Sequence, residues 1–351
     1  MANKNALGLD IGSHTIKMVE LSQSKSGLEL QRFGVAEIPP DAVVEGNFMN
    51  FPLIVERVRE LVKTHKVKQK KVALAISGNS VIVKKISLPE MTQEELEESV
   101  QWEAEQYIPF DIKDVNVDVQ IISPNVGQGQ MDVLLVAAKK DVINDYVSVV
   151  LEAGLDPIVM DVVTFSVQNC LELNYGNFGD QVVALVNLGA STMNINILTN
   201  GVTTFTRDIA TGARVITEEI QKQFNLPWDE AEAYKNKPID ALPNAGLARE
   251  VKKLVRRVGE SLATEVQRSL DFFAATTANV SISKLFLSGG CAMSPECVAA
   301  ISERLALPTE IMNPFQNITI NPRHVNLDLL REHAAQAAVS VGLALRRSDE
   351  R

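Results

Sequence analysis

One hairpin-like stretch occurs twice in this chain, and no other feature restricts its fold as strongly. Leu7 to Leu21 reads LGLDIGSHTIKMVEL, and Val182 to Leu198 reads VVALVNLGASTMNINIL. Placing Asp10 on Asn187 also places Gly12 on Gly189, Thr15 on Thr192 and Leu21 on Leu198. Each copy alternates apolar residues up to a polar turn and resumes them after it, the period of two joined strands. Gly12 leaves room for backbone to approach an anion, and Ser13, His14 and Thr15 present amides and hydroxyls there. Asp10 is a carboxylate suited to a hydrated divalent metal, and Lys17 returns a positive charge to the same place. After the second copy, Asn200-Gly201 signals a two-residue hairpin into a third strand, Val202–Asp208. Two matched hairpins, each opening an α/β half, imply a pseudo-two-fold clamp around a cleft. Two unrelated surface hairpins with polar turns would give the same local pattern.

The 351 residues, 46% of them hydrophobic, suffice for two domains or for one large domain with an insertion. A chain of this size buries roughly three quarters of its unfolded surface. No apolar run approaches the roughly 20 residues of a transmembrane helix, and the N-terminus leads directly into a strand rather than a secretory signal. A cytoplasmic protein is expected. The net charge of −10 argues against a nucleic-acid partner, which demands basic surface. Cys170, Cys291 and Cys297 form no CxxC pair and no ligand spacing with the four histidines. They are expected to be reduced and buried, without structural zinc.

Along the chain, Leu28–Ile38 continues the first hairpin as a third strand, and Leu53–Val67 has helical spacing before a strand at Lys71–Ser77. Val81–Leu155 breaks this rhythm. It reads as a strand to Leu88, then a helix opened by a Thr92–Glu95 capping box and running to about Tyr107. Strands at Val115–Ile122 and Met131–Ala138 and a helix at Asp141–Glu152 complete a β-α-β-β-α block. A crossover follows, with a strand at Ile158–Val163 and a helix through Cys170. In the second half, helices are expected at Gly212–Phe224, from Pro227 through AEAYK at 231–235, and along the stripe from Leu247 to Leu270. The strand Lys284–Ser288 runs into Gly289-Gly290, where a flat base or ribose can lie against bare backbone near a helix N-terminus. By itself that pattern is common in α/β proteins. A small-residue helix, Leu329–Leu345, closes the chain.

This order of parts resembles the actin-like ATPase superfamily, which includes sugar kinases and the cell-division protein FtsA, and the resemblance covers essentially the whole chain. Within the superfamily, LGLDIGSHTIKMVEL, VQWEAEQYIPF at 100–110 and VNLGAST at 186–192 are most similar to the PilM family of type IV pilus assembly proteins. The resemblance implies an α/β actin-like ATPase fold, with two ribonuclease H-like halves around a nucleotide cleft. Domain 1 would comprise 1–80, 156–181 and 329–351, with an inserted subdomain at 81–155 of the kind FtsA and PilM carry. Domain 2 would span 182–328.

The same resemblance implies ATP and Mg²⁺ as ligands. Gly12, Ser13, Thr15 and Lys17 would hold phosphates from one side, and Gly189, Ala190 and Ser191 from the other. Asp10 would position the metal through water. Glu232 and Lys235 would contact the ribose or base edge, and Gly289, Gly290 and Met293 would line the adenosine pocket. Without the family, Glu232 and Lys235 read as a solvated helix face. Active members usually place an aspartate where this chain has Asn187, and an amide is a poor base, so slow or absent hydrolysis is expected. Asp161 is the substitute candidate. The implied partner is the N-terminal cytoplasmic peptide of a PilN-like inner-membrane protein, which would recruit the chain, with other pilus subunits, to the inner face of that membrane. Val81–Leu88 would border its groove, although by pattern alone this stretch is an interior strand. Two alternatives are a filament-forming protein like FtsA, whose amphipathic tail has no counterpart after RRSDER, and a small-molecule kinase, for which no acidic base follows the first hairpin.

Overall fold

The computed structural model describes residues 5–25, 27–277 and 280–347. The first four residues and the last four, expected before the first strand and after the closing helix, lie outside the described residues. Strands β1 (Leu7–Ile11), β2 (Thr15–Ser24) and β3 (Gly27–Glu37) are followed by a two-residue ribbon, β4 (Val43–Val44) and β5 (Asn47–Phe48). Helix α1 (Phe51–Thr64) and strand β6 (Lys71–Ile76) complete the first unit. α1 begins where Asn50 accepts from the Leu53 backbone, with Pro52 in the first turn, and it ends with Lys63 in the last turn. Its face of Ile54, Val55, Val58, Leu61 and Val62 is buried on the sheet.

The chain then runs through β7 (Val81–Pro89), α2 (Gln93–Glu105), β8 (Val115–Gly127), β9 (Gln130–Lys139), α3 (Lys140–Glu152), β10 (Asp156–Val162) and α4 (Val163–Tyr175). The second half contains β11 (Val182–Leu188), β12 (Met193–Thr199), β13 (Val202–Ile209), α5 (Arg214–Phe224), α6 (Trp228–Asn236) and α7 (Ala245–Thr276). It continues with β14 (Lys284–Ser288), α8 (Pro295–Leu305) and β15 (Thr309–Ile311). Last come β16 (Thr319–Ile320), α9 (Leu327–His333) and α10 (Ala338–Leu343).

The repeat read from the sequence is a repeat of topology. One sheet has the order β10-β6-β1-β2-β3-β16 and the other β13-β12-β11-β14-β15. In each, the first hairpin strand pairs antiparallel with the second and parallel with a later crossover strand, β1 with β6 and β11 with β14. The Asn200-Gly201 turn joins Thr199 directly to Val202 across the pair, both turn residues having positive φ. β1 is buried along its whole length because both faces of the sheet are covered. α10 lies against β1 and α4 at two points where only glycine fits. A Cβ on Gly342 would collide with the Ser166 carbonyl oxygen, and one on Gly8 with that of Ser340.

Four expectations need correction. The inserted sheet, β7-β9-β8, has its own core of Ile86, Leu88, Leu96, Ala104, Ile108, Val119, Met131, Val133, Leu135 and Ala137, but α3 does not join it. Val142, Tyr146, Val149 and Val150 of α3 pack instead with β1, β2 and α1, because the apolar face of α3 meets α1. The return to the first half precedes Leu329, since β16 pairs with β3, and Met312, Phe315, Ile318 and Val325 enter the core that β2 and β3 share with β11, β12 and β14. The closing helix is two helices, broken by a 3-10 turn at Ala334–Gln336, where the Ala335 carbonyl accepts from the Gly289 N–H. All three cysteines are buried, but Cys291 and Cys297 form a disulfide. The 3-10 turn at Gly290–Met293 runs straight into α8 and brings their Cα atoms within 6.6 Å.

Candidate functional site

The two hairpin turns face each other across a cavity of about 910 Å³, at the upper end of small-ligand pockets. Each turn is closed by the same backbone bond, Gly12 N–H to the Thr15 carbonyl and Gly189 N–H to the Thr192 carbonyl, at 3.1 and 3.0 Å. The turns touch directly, for Ser191 Oγ donates to Ser13 Oγ at 2.6 Å. On the first side, Lys17 Nζ lies 2.8 Å from Asp10 Oδ2, both side chains largely buried. The opposed charges that the sequence placed one strand apart are therefore an ion pair at the cleft floor. Beside them, burial and the Asp10 charge push the Tyr146 hydroxyl well above its ordinary pKa.

Domain 2 supplies the other walls. The first turn of α5 is anchored on the second hairpin, with Ala213 N–H donating to the Gly189 carbonyl and Arg214 N–H to that of Ala190. Lys235 Nζ donates to Thr217 Oγ1 at 2.8 Å and is paired with Glu232, which also accepts from Thr217 and, at 3.0 Å, from Asn236. Glu232 and Lys235 are thus no solvated helix face. Burial works to raise the Glu232 carboxyl, but the Lys235 charge and hydrogen bond outweigh it and hold the group below its usual range. Burial likewise lowers the Lys235 ammonium, and Glu232 recovers part of that cost.

Gly289 has φ +90° and ψ 178°, a conformation essentially reserved for glycine. The turn it makes opens the strand end toward Gly290 and Met293, and Gln336 Nε2 donates to Met293 Sδ at 2.6 Å.

The structure brings Asp10, Gly12, Ser13, Thr15 and Lys17 together with Gly189, Ala190, Ser191, Glu232, Lys235, Gly289, Gly290 and Met293 around this one cavity. Asp161 is not among the residues that line it. Its carboxylate lies 2.9 Å from Arg346 Nε and accepts from the Val162 N–H, which ties the closing segment to β10. Asn187 does line the cleft, at the tip of β11. Arg214 and Trp228 also line the cavity, although the sequence reading singled out neither. Arg214 donates across the mouth to the Pro40 carbonyl at 2.6 Å and to Asp41 at 2.9 Å, and its guanidinium lies over the Trp228 ring. His14, 6.1 Å from Trp228 ring to ring, has its pKa lowered by burial. Only the position of Arg214 at the start of a helix directly after Thr211-Gly212 hinted at a role. Among the described residues, no three His, Cys, Asp or Glu side chains gather as metal ligands.

A family model described as type IV pilus assembly protein PilM matches residues 8–348. The chain belongs to the PilM family. A solved PilM–PilN type IV pilus biogenesis complex contains a chain 29% identical to it, aligned over 99% of both with a TM-score of 0.85. The ethanolamine utilization protein EutJ from Carboxydothermus hydrogenoformans shares the fold at 17% identity, over 98% of this chain and 90% of its own, with a TM-score of 0.59. A diol dehydratase-reactivating factor, solved nucleotide-free, does so at 10% identity over 97% and 99%, with a TM-score of 0.56. This PilM family member has the actin-like ATPase fold that the resemblance implied. Among its described residues, no helix is long and apolar enough to cross a membrane.

Proposed function

We propose that this chain is a cytoplasmic ATP-binding scaffold of type IV pilus assembly, bound through its inserted subdomain to the N-terminal cytoplasmic peptide of a PilN-like inner-membrane protein. The convergence of both hairpins, the Glu232–Lys235–Thr217 cluster and the Gly289-Gly290 turn on a single cavity carries the reading. These walls offer what a nucleoside triphosphate requires: backbone amides and hydroxyls from opposite sides for the phosphates, a cation at the floor, and a polar cluster and bare backbone for the nucleoside. The residues present also fit a divalent ion held by phosphate oxygens and water rather than by a protein cage, the usual manner of Mg²⁺. Asp10 would orient that water shell, and the ion would neutralise phosphate charge.

In this account Ser13 and Ser191 leave each other and take phosphate oxygens between them, so ATP replaces a direct contact between the jaws. Lys17, now paired with Asp10, shifts part of its charge to the phosphates. Asn187 is a neutral group where a carboxylate would help activate water, so hydrolysis is slow and binding rather than turnover is the working event. A ligand shifts the clamp only by its differential affinity for the open and closed states, and ATP favours the closed one. The peptide docks as an extended segment along β7, with apolar side chains filling pockets beside the inserted sheet. Recruitment to the inner face of the inner membrane follows from the partner.

Titration of the full chain with the N-terminal peptide of the co-encoded PilN-like protein, with and without ATP–Mg²⁺, tests the scaffold reading. Sub-micromolar binding that changes with ATP is expected. A peptide that fails to bind in either condition would overturn it.

A further inference from the structure

A row of hydrogen-bonded polar groups, Asn194 and Ser288 buried and Asn187 and Asp208 half-buried, leaves the cleft at Asn187 and ends in the other half of the molecule. Asn187 Oδ1 accepts from Ser288 Oγ at 3.2 Å, and Asn187 Nδ2 donates to Asn194 Oδ1 at 3.0 Å. Asn194 Nδ2 donates to Asp208 Oδ1 at 2.8 Å. The three residues stand directly opposite one another on β11, β12 and β13. The second oxygen of Asp208 accepts the backbone N–H of Gly78, in the turn that leads from β6 into the inserted β7. Two residues earlier on β13, Thr206 Oγ1 donates to the Val83 carbonyl of β7 at 3.4 Å. The edge strand of domain 2 is thereby tied to the base of the insertion.

The direction of every bond in this row follows from one group. An ionised carboxylate only accepts, so Asn194 must turn its NH₂ toward Asp208 and its carbonyl oxygen toward Asn187. Asn187 must then donate to Asn194, which leaves its own carbonyl oxygen for Ser288 and keeps one amide hydrogen over. A flipped Asn187 would aim its carbonyl oxygen at another carbonyl oxygen. Burial pushes the Asp208 carboxyl above its usual range, and the bonds from Asn194 and Gly78 oppose that shift.

We propose that Asp208 is a positioning residue: it fixes the amide orientation of Asn187 at the cleft, and through Gly78 it ties that orientation to the base of the inserted subdomain. The relevance of Asn187 to a phosphate rests on the nucleotide reading above, whereas the orientation does not. With a donor left over, Asn187 suits an anion, and a shift of the second hairpin on ligand binding is felt at Gly78, where β7 begins.

The test is a swap. The amide of Asp208→Asn accepts at one oxygen only, so it releases either the Gly78 N–H or the Asn194–Asn187 row. Adding Asn194→Asp lets residue 194 accept from both neighbouring amides while residue 208 still accepts from Gly78, which restores the orientation of Asn187. The readouts are hydrogen exchange of the Asn187 side-chain amide and the Gly78 backbone amide by NMR in the ligand-free protein, and the ATP–Mg²⁺ affinity by titration. In Asp208→Asn, one of the two amides should lose protection, and where the Asn194–Asn187 row is the one released the dissociation constant should rise about tenfold, the scale of one misdirected hydrogen bond. Both should recover in the folded double variant. Protection of both amides within about twofold of the wild type in Asp208→Asn, an unchanged affinity where the Asn187 amide has lost protection, or no recovery in a folded double variant, would overturn the inference, since a lost hydrogen-bond partner costs more than that. If the wild type itself binds no ATP, the nucleotide reading fails, and the exchange data alone decide the orientation.

Discussion

The adjacent glycines of the Gly-Gly turn should respond in opposite ways to the same added methyl group. At Gly289 a Cβ would collide with the Leu188 carbonyl oxygen and lie 2.7 Å from the Leu188 carbonyl carbon and 2.9 Å from Asn187 Oδ1. The backbone there has φ +90°, so alanine also pays a conformational cost of about 1–3 kcal/mol. Overpacking against backbone, which cannot swing aside as a side chain can, adds about 1–3 kcal/mol. Gly289→Ala should therefore lose about 2–6 kcal/mol, a large share of the roughly 5–15 kcal/mol that stabilises a folded protein. At Gly290 nothing lies within 4 Å of the added Cβ. Gly290→Ala should stay within about 0.5 kcal/mol of the wild type. Urea unfolding of the three proteins, compared by their midpoints at a common m-value, reads both numbers. Equal midpoints for the two variants would refute the reasoning, because they would mean that the positive φ and the approach to Leu188 do not constrain this turn.

Other outcomes follow from the same site. Asn187→Asp should raise ATP turnover, since it returns a carboxylate to the cleft, and general-base assistance is worth about a hundredfold or more where geometry permits. A phosphate-release assay showing no increase would contradict the proposal that an amide at position 187 limits hydrolysis. Arg214→Ala removes the bonds to Pro40 and Asp41 across the mouth. It should speed nucleotide release in stopped-flow measurements while costing no more than about 1–2 kcal/mol of stability, because the Asp41 partner is exposed. Burial lowers the pKa of His14, His65 and His333. The folded state then binds fewer protons than the unfolded chain once the pH falls below the ordinary histidine value of about 6.5. Their contribution to stability is complete above that value and is lost as the pH drops through it. The melting temperature should fall between about pH 7 and pH 5. His65→Gln should flatten that slope, and an unchanged slope would exclude His65 as a source. The buried carboxyls Asp161 and Asp208, whose pKa values burial raises, act with the opposite sign, so the variant's difference from the wild type is the quantity to read.

Much of the fold was legible because hairpin chemistry is local. The alternation of Leu7, Leu9 and Ile11, the polar turn, and the Asn200-Gly201 pair each specify backbone over a few residues, and the matched spacing of the two copies carried the topology. The Thr92–Glu95 capping box formed as read, with both of its reciprocal bonds in place. What the pattern missed depends on contacts between distant segments. Nothing in Asp141–Glu152 distinguishes a helix that closes the insertion from one that packs on α1, since both need one apolar face. The break at Ala334–Gln336 is equally silent, because alanines suit a helix and only the bond from Gly289 to the Ala335 carbonyl explains the bend. Asp161 read as a cleft residue from its place in the crossover, but the cation that pairs with it comes from the far end of the chain. Glu232 and Lys235 carried no signal of burial in AEAYK, because the Thr217 that joins them lies on another helix.

The central claim is that the cleft between the two hairpins holds ATP. Calorimetric titration of ATP–Mg²⁺ into the wild type and into Gly290→Leu tests it most directly, since the added side chain enters the cavity at a position with no neighbour within 4 Å. The account predicts saturable binding to the wild type, and loss of that binding in a variant that melts at the same temperature. No binding by the wild type, or equal binding by both proteins, would contradict it.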